Sequence, residues 1–465
     1  MPSARRAAIL SIAAATALAA ALAAGPAPAS AADATVAAQA SAVAQTATAG
    51  QDYRPGEVVV RYDADKAGPS TKVVRVRGGV PAAMKRLGRK AAVRSASPNW
   101  LARASYVPND PGDAGLPGGW TSVQWNFLAG TAGIDAPLAW DNLIAAGRPG
   151  ASGVVVAVLD TGVAYRNYRN FTQSPDLFAH LRRGYDFVDN DRYPLDHNGH
   201  GTHVASTIAE TVDNGVALTG LAYGATILPV RVLDRLGWGD SAGIASGIRY
   251  AADRGAQVIN LSFEFSARVR RASQIPEILS ALRYARRKGS LVVGASGNEA
   301  RASVAYPARA NQVLSVGATT EHGCQADYSN AGSGLDLVAP GGGPDADLAG
   351  DPNCHADQEP GRDIVQMTFD GSVRHFGLPG GYVGTSMAAP HVSATAALAI
   401  ASGVLGPIPS PAAIERRLKL TALDLGTPGP DLRYGYGKVD AGRATSPLPP
   451  PVATPAPTPT PPPAG

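Results

Sequence analysis

What the chain has little of narrows it first. Of 465 residues only two are cysteine and four methionine, aromatics make up 6%, and charged residues 17%. Two cysteines allow one disulfide at most, which excludes a disulfide-dense scaffold. Beyond the extreme N-terminus no apolar run reaches the roughly 20 residues a spanning helix needs, so nothing in the body crosses a bilayer. No internal repeat is visible. Glycine (53) and proline (38) are abundant instead, implying many tight turns and some linker.

The N-terminus differs from the body. "MPSARRAAILSIAAATALAAALAAGPAPASAADA" carries Arg5 and Arg6, an apolar core from Ala7 to about Ala24, and the small-x-small site Ala29-Ser30-Ala31. Residues 1–31 therefore read as a secretory signal peptide, and the product is expected outside the cell, with no membrane association once the signal is removed. Secretion changes how the cysteines read. An oxidising compartment would join Cys324 to Cys354, and no cysteine-protease signature surrounds either.

The net charge of +4 is unevenly spread. Residues 51–106 hold 12 Lys+Arg against 4 Asp+Glu, whereas the chain from Val107 onward holds 27 against 32. A basic segment thus precedes an acidic body, which implies neither a nucleic-acid nor a membrane-surface partner.

Residues 32–50 are small and weakly patterned, a spacer. Within 51–106 a strand is expected over Glu57–Tyr62, a basic helix in "VPAAMKRLGRKAAV" and a second extended run in "NWLARASYV". That is a small α+β unit, near the lower size limit for folding alone. The body, 107–446, alternates apolar runs at 153–160, 225–234, 256–263, 289–297 and 311–319 with helix patterns at 200–211, 241–254 and 276–288. Apolar strands alternating with helices predict an α/β fold, a mostly parallel central sheet flanked by helices. Function in such sheets gathers at the strands' C-terminal ends. Residues 447–465, rich in proline, form a tail that cannot build a core.

Three stretches carry chemistry. "VAVLDTGV" puts Asp160 at the end of an apolar strand, where a carboxylate is costly without a partner. "LDHNGHGTHVAST" spaces His200 and His203 three apart at a helix start. A zinc pair competes there, but no Glu intervenes and no third ligand motif is evident. "GTSMAAPHVSATAALAIAS" places Ser386 at the first turn of a small-residue helix, where free N–H groups and the dipole favour negative charge. Taken singly, these read as a loop-capping Asp, a helix His and an N-cap Ser. Together they supply carboxylate, base and nucleophile in the order Asp160, His200, Ser386.

"VAVLDTGV", "NGHGTHVA" and "GTSMAAPHV" resemble the signatures of the subtilisin-like serine peptidases, and the resemblance covers about residues 120–445. It implies an autoprocessed serine endopeptidase acting on polypeptides, with Asp160, His200 and Ser386 catalytic. "VVGASGNEA" is similar to the family's oxyanion strand, which makes Asn298 the side-chain donor. The resemblance implies substrate contact by Ser262, Phe263 and Glu264 along one wall and by Ala295, Ser296 and Gly297 along the other. Phe263 and Glu264 stand where Leu-Gly is usual. With Glu299, Glu264 suggests a taste for Lys or Arg before the cut bond, against a broad apolar taste if Glu264 faces solvent or is neutralised by the basic loop Arg268 to Arg271. The 51–106 unit is similar to the inhibitory propeptides of such enzymes and would serve as intramolecular inhibitor and folding aid, with "YVPNDP" resembling the junction. Asp213 and Asn214 lie in a loop that binds calcium in many relatives, and Asp189 and Asp191 offer a second candidate. The sulfoxide of Met387, if oxidants reach it, would crowd the oxyanion site. A monomer is expected. The reading from another class, a catalytically silent binding module, is disfavoured because all four active-site residue types are present.

Overall fold

The computed structural model describes residues 53–62, 71–100, 106–177 and 180–447. The expected signal peptide and spacer, and all of the Pro-rich tail after Pro447, lie outside the described residues. Two compact units divide between Trp100 and Leu101.

In the first unit β1 (Tyr53–Tyr62) lies between β2 (Thr71–Arg75) and β3 (Val93–Trp100), antiparallel to both, with α1 (Val80–Leu87) packed on one face. Val58 and Val60 alternate onto that face and meet Val80, Ala83 and Leu87, which fall on one side of α1. The second extended run was expected over 99–107. The strand lies earlier, because the register Val60↔Ala96 and Arg61↔Ser95 with β1 sets its place. Pro98 is tolerated there because β3 is an edge strand.

The second unit is built on seven parallel strands: β4 (Val155–Asp160), β5 (Tyr185–Asp186), β6 (Thr226–Arg231), β7 (Val258–Leu261), β8 (Leu291–Ala295), β9 (Val313–Thr319) and β10 (Leu337–Pro340). Their order is β10-β9-β8-β7-β4-β6-β5. The five expected strands form, each trimmed by a few residues. β5, β10 and the small β11–β12 pair (Thr368–Phe369 with Phe376–Gly377) were not anticipated. "LVAP" beside a triple glycine reads as a turn until pairing with β9 makes it a strand.

Helices cover both faces. Val156 and Val158 of β4 join the core formed with α2 (Ala136–Ala145), α3 (His200–Ala209) and, later in the chain, α6 (Thr385–Ser402). Val155, Ala157 and Leu159 point the other way, against α4 (Ser241–Asp253) and α5 (Pro276–Arg287). α7 (Pro411–Thr421) and α8 (Ala441–Thr445) complete the unit. Helix α6 is buried or half-buried at every position. Its alanines leave a slender cylinder that fits under the sheet, where a helix of larger residues would be too thick.

No helix among the described residues is long and apolar enough to cross a membrane. Cys324 and Cys354 form a disulfide across 30 residues. Replacing both by serine is expected to lower unfolding stability by about 3 kcal/mol, the loop-closure contribution of a cross-link of this span. Denaturant melts of oxidised wild type and the double variant would check it, equal midpoints refuting it.

Candidate active site

Because the strands are parallel, their C-terminal ends share one edge of the sheet. β4 ends in Asp160, β7 hands on to Ser262, and β8 hands on to Ser296, Gly297 and Asn298. β4 is also where the order reverses, β6 departing on one side and β7 on the other. A crevice opens at such a switch point.

Asp160 is fully buried, and its Oδ1 accepts from Thr161 N–H at 2.7 Å and from His200 Nδ1–H at 2.7 Å. His200 begins α3 directly after Gly199, whose φ of 110° suits glycine. Gly201 lets the helix come this close. A Cβ there would fall 2.1 Å from the Gly162 carbonyl oxygen and 3.0 Å from Asp160 Cβ. Burial opposes charge on the His200 ring, but the Asp160 carboxylate and its hydrogen bond outweigh burial, and the imidazole pKa is raised above 6.5. With Nδ1 donating to Asp160, Nε2 is left as the acceptor.

His203, one turn on, is engaged elsewhere. Its Nε2–H donates to the Ile364 carbonyl at 2.9 Å, and burial pulls its pKa down to about 3. The two histidines therefore do not form a metal pair. The His203 ring stacks on Tyr382 at 4.1 Å, bringing the segment that leads into Ser386 against α3.

Gly384, with φ 151° and ψ 162°, turns the chain into α6 in a conformation essentially restricted to glycine. Pro390, inside α6, has no N–H to offer the carbonyl four residues back, which is that of Ser386. The Ser262 hydroxyl fills the gap, donating to the Ser386 carbonyl at 2.8 Å, while Ser386 Oγ donates to the Ser262 carbonyl at 2.9 Å. Asn260 Nδ2 holds Ser262 Oγ at 2.9 Å, and Ser393 on α6 donates to Asn260 Oδ1 at 2.8 Å. Thus β7 and the start of α6 are laced together at the serine.

Asn298 faces the same turn. Its Oδ1 accepts from Thr385 N–H at 2.8 Å and Thr385 Oγ1–H at 2.9 Å, which fixes the amide so that Nδ2 is its donor edge. Ala295 and Ser296 are buried, and the Ser296 hydroxyl donates to the Asn330 carbonyl. Met387 is only 2% exposed, its thioether packed in the core below the site. Phe263, just beyond β7, is buried in the core that α4 and α5 share with the sheet.

Glu264 turns inward, not to solvent. Its Oε1 accepts from Asn298 N–H at 3.1 Å, and its Oε2 would lie 2.3 Å from a Cβ on Gly297. The carboxyl thus lies across the open face of the second wall. Burial, and then the neighbouring Glu299, push its pKa up to about 7.

Sequence reasoning missed Asp196. Its two oxygens accept from Thr161 Oγ1–H, Asn198 N–H, Gly199 N–H, Thr202 N–H and Thr202 Oγ1–H, at 2.7 to 2.9 Å. One buried carboxylate thereby shapes the loop ahead of His200 and ties it to the end of β4. The available signal was an Asp three residues ahead of Gly199, an Asx-type turn.

The expected cation loops are arranged differently from the sequence reading. Asp213 is taken by Tyr106 O–H at 2.6 Å and Asn109 N–H at 2.9 Å. Asn214 instead donates to Asp176 at 2.6 Å, and Asp110 accepts from the Asp213 and Asn214 amides. Asp186 and Asp189 both pair with Arg231, at 2.7 and 2.6 Å, so a guanidinium supplies the positive charge there. Among the described residues no group of three or more His, Cys, Asp or Glu is arranged to hold a metal ion.

Fold and site define a hydrolase of the serine endopeptidase class. The model described as "Subtilase family" matches residues 151–437. The chain is 35% identical over 341 residues to the thermophilic serine proteinase of Bacillus sp. (strain AK1), covering 73% of this chain and 71% of that one. It is 36% identical over 298 residues to thermitase of Thermoactinomyces vulgaris, covering 64% and 87%. A solved structure described as proteases from Pseudoalteromonas arctica PAMC 21717 superposes with a TM-score of 0.56 at 31% identity, covering 73% of this chain and 99% of that one. The chain belongs to the subtilase family.

Asp196→Ala would leave five donors without their acceptor. A loss of about 3 kcal/mol in unfolding free energy is expected. A denaturant melt checks it, and an unchanged midpoint would show that these bonds are replaced by water at no cost.

Proposed function

We propose that the protein is a secreted serine endopeptidase, made as a zymogen, that cleaves polypeptides through Asp160, His200 and Ser386. The observation that carries this reading is the 2.7 Å Asp160–His200 hydrogen bond at the strand edge where Ser386 opens α6. On substrate binding, Ser386 Oγ exchanges the Ser262 carbonyl for His200 Nε2, an alignment that commonly completes only in the substrate complex. The hydroxyl attacks the peptide carbonyl as its proton passes to Nε2. Asp160 holds the ring and stabilises the imidazolium. Asn298 Nδ2 and the Ser386 N–H receive the oxyanion. His200 then protonates the leaving amine, the C–N bond breaks, and water attacks the acyl-enzyme by the same route.

We assign the basic unit ahead of Tyr106 to an intramolecular inhibitor removed on maturation. Tyr106 itself stays with the enzyme, since its N–H donates to Asp141 Oδ1 at 2.7 Å and its ring packs near Trp140 and Tyr223. The disulfide supports a secreted setting. A structural calcium fits the loop around Asn214 through Asp110 and Asp176 better than through Asp213. Burial pushes both carboxyls up, Asp176 also feels the Asp110 charge, and hard oxygen donors suit this ion. Bound there, calcium would neutralise the pair and brace the loop.

Casein clearing is expected from wild type and absent from Ser386→Ala, while Asn298→Ala should lower kcat by about 100- to 1,000-fold with KM little moved. Normal clearing by Ser386→Ala would end the proposal. Because the base must be neutral and its pKa is raised, the acid limb of kcat/KM should lie above pH 6.5. A limb below that value contradicts the Asp160–His200 coupling. A chelator should lower the melting temperature of wild type more than that of Asp176→Asn, and equal shifts would remove calcium from this loop.

A further inference from the structure

We propose that Glu264 is a specificity-determining residue whose carboxyl, paired with Glu299, selects substrates with a lysine or arginine side chain before the cut bond. This rests on the endopeptidase reading above and names its substrate class.

The geometry starts from the two walls. The chain beyond β7 and the chain beyond β8 run side by side, and Glu264 reaches from the first to the backbone N–H of Asn298 on the second. Its other oxygen, Oε2, is buried and has no donor among the described residues. A buried acceptor without a donor is costly. Beside it lie Gly297, which offers no side chain, and the Asn330 amide. The neighbouring carboxyl is that of Glu299, itself held by Asn330 Nδ2 at 2.9 Å and by Arg301 at 4.0 Å. Next to the pair lies a cavity of about 300 Å³, lined by Phe265, Glu299, Arg301 and Ala305 among others.

Two carboxyls in contact satisfy each other by sharing one proton. Glu264, raised to about 7, is the one that carries it, and Glu299, lowered, stays ionised. An ammonium or guanidinium entering between the walls can take the proton's place, release it to solvent and give Oε2 its missing donor. Three arginines stand around the cavity beside the pair. Arg301 is committed to Glu299, and Arg270 and Arg309 line the cavity, with Arg309 lying over the Tyr306 ring. An apolar side chain gains nothing from the pair and leaves the shared proton where it is.

The sign of the pH effect follows. Below pH 7 the pair carries one negative charge and above it two, so KM for a basic substrate falls as pH rises through 7 while KM for an aromatic one does not.

The test measures kcat/KM for matched chromogenic peptides ending in Lys, Phe and Ala, from pH 5.5 to 8.5, in the mature enzyme and in Glu264→Gln, Glu264→Gly and Glu299→Gln. Active sites are counted by fluorophosphonate labelling of Ser386. The expected result is a Lys preference in wild type that rises with pH and falls roughly tenfold in Glu264→Gln. Glu299→Gln should reduce it as well. A preference for Ala, with Phe and Lys admitted equally once Glu264→Gly clears the space, would show a plug and overturn the proposal. A Lys:Phe ratio that ignores pH and all three substitutions would overturn it too. Absence of labelling and of any cleavage in wild type would instead defeat the endopeptidase reading beneath it.

Discussion

A carboxylate removed from water at the end of a central strand is the constraint on which the site depends. Asp160 has no exposed surface, and one of its oxygens, Oδ2, has no hydrogen-bond partner among the described residues. Burying such a group is costly unless nearby donors and charge compensate it. His200 and the Thr161 amide do so, and in return the carboxylate raises the basicity of the imidazole. Several neighbouring features serve that pairing: Gly201 permits the approach, Asp196 shapes the loop, and Tyr382 stacks one turn further along.

The serine is held by a second arrangement in which an apparent defect is put to use. A proline five residues into α6 normally leaves a carbonyl without its helical donor. Here that carbonyl belongs to Ser386, and its replacement donor, Ser262, sits on the segment expected to meet the substrate. Wall, nucleophile and the Asn298 strand are therefore one hydrogen-bonded assembly, with Thr385 as the hinge between Asn298 and Gly297. Movement in any one part would be felt by the others.

Glu264 and Arg231 show how the surroundings set what an acidic residue does. Asp189, with Asp191, looks like a cation ligand in sequence, yet Asp189 and its neighbour Asp186 are both paired with a guanidinium from β6. Glu264, which in sequence reads first as a solvated residue, folds inward against another carboxyl. The residue type is the same kind of acid in each case. What differs is the partner.

Much was legible in the residue order alone. Apolar, β-branched runs cannot be exposed on either face, so five parallel strands and the helices between them followed from periodicity. Gly-His-Gly-Thr and Gly-Thr-Ser are local backbone demands, readable because glycine conformations and helix first turns depend on near neighbours. The three-residue spacing of His200 and His203 was legible as well. The fold had to decide which histidine points to a carboxylate and which to a carbonyl. It also decided that Asp176 and Asp110, distant in sequence, would be Asn214's companions, that β10 would be a strand, and that Glu264 would face Glu299. Those outcomes depend on contacts between segments tens to hundreds of residues apart, and no local pattern encodes them. Sequence sets the conformations each segment can hold; packing around a shared sheet edge chooses which side chains meet.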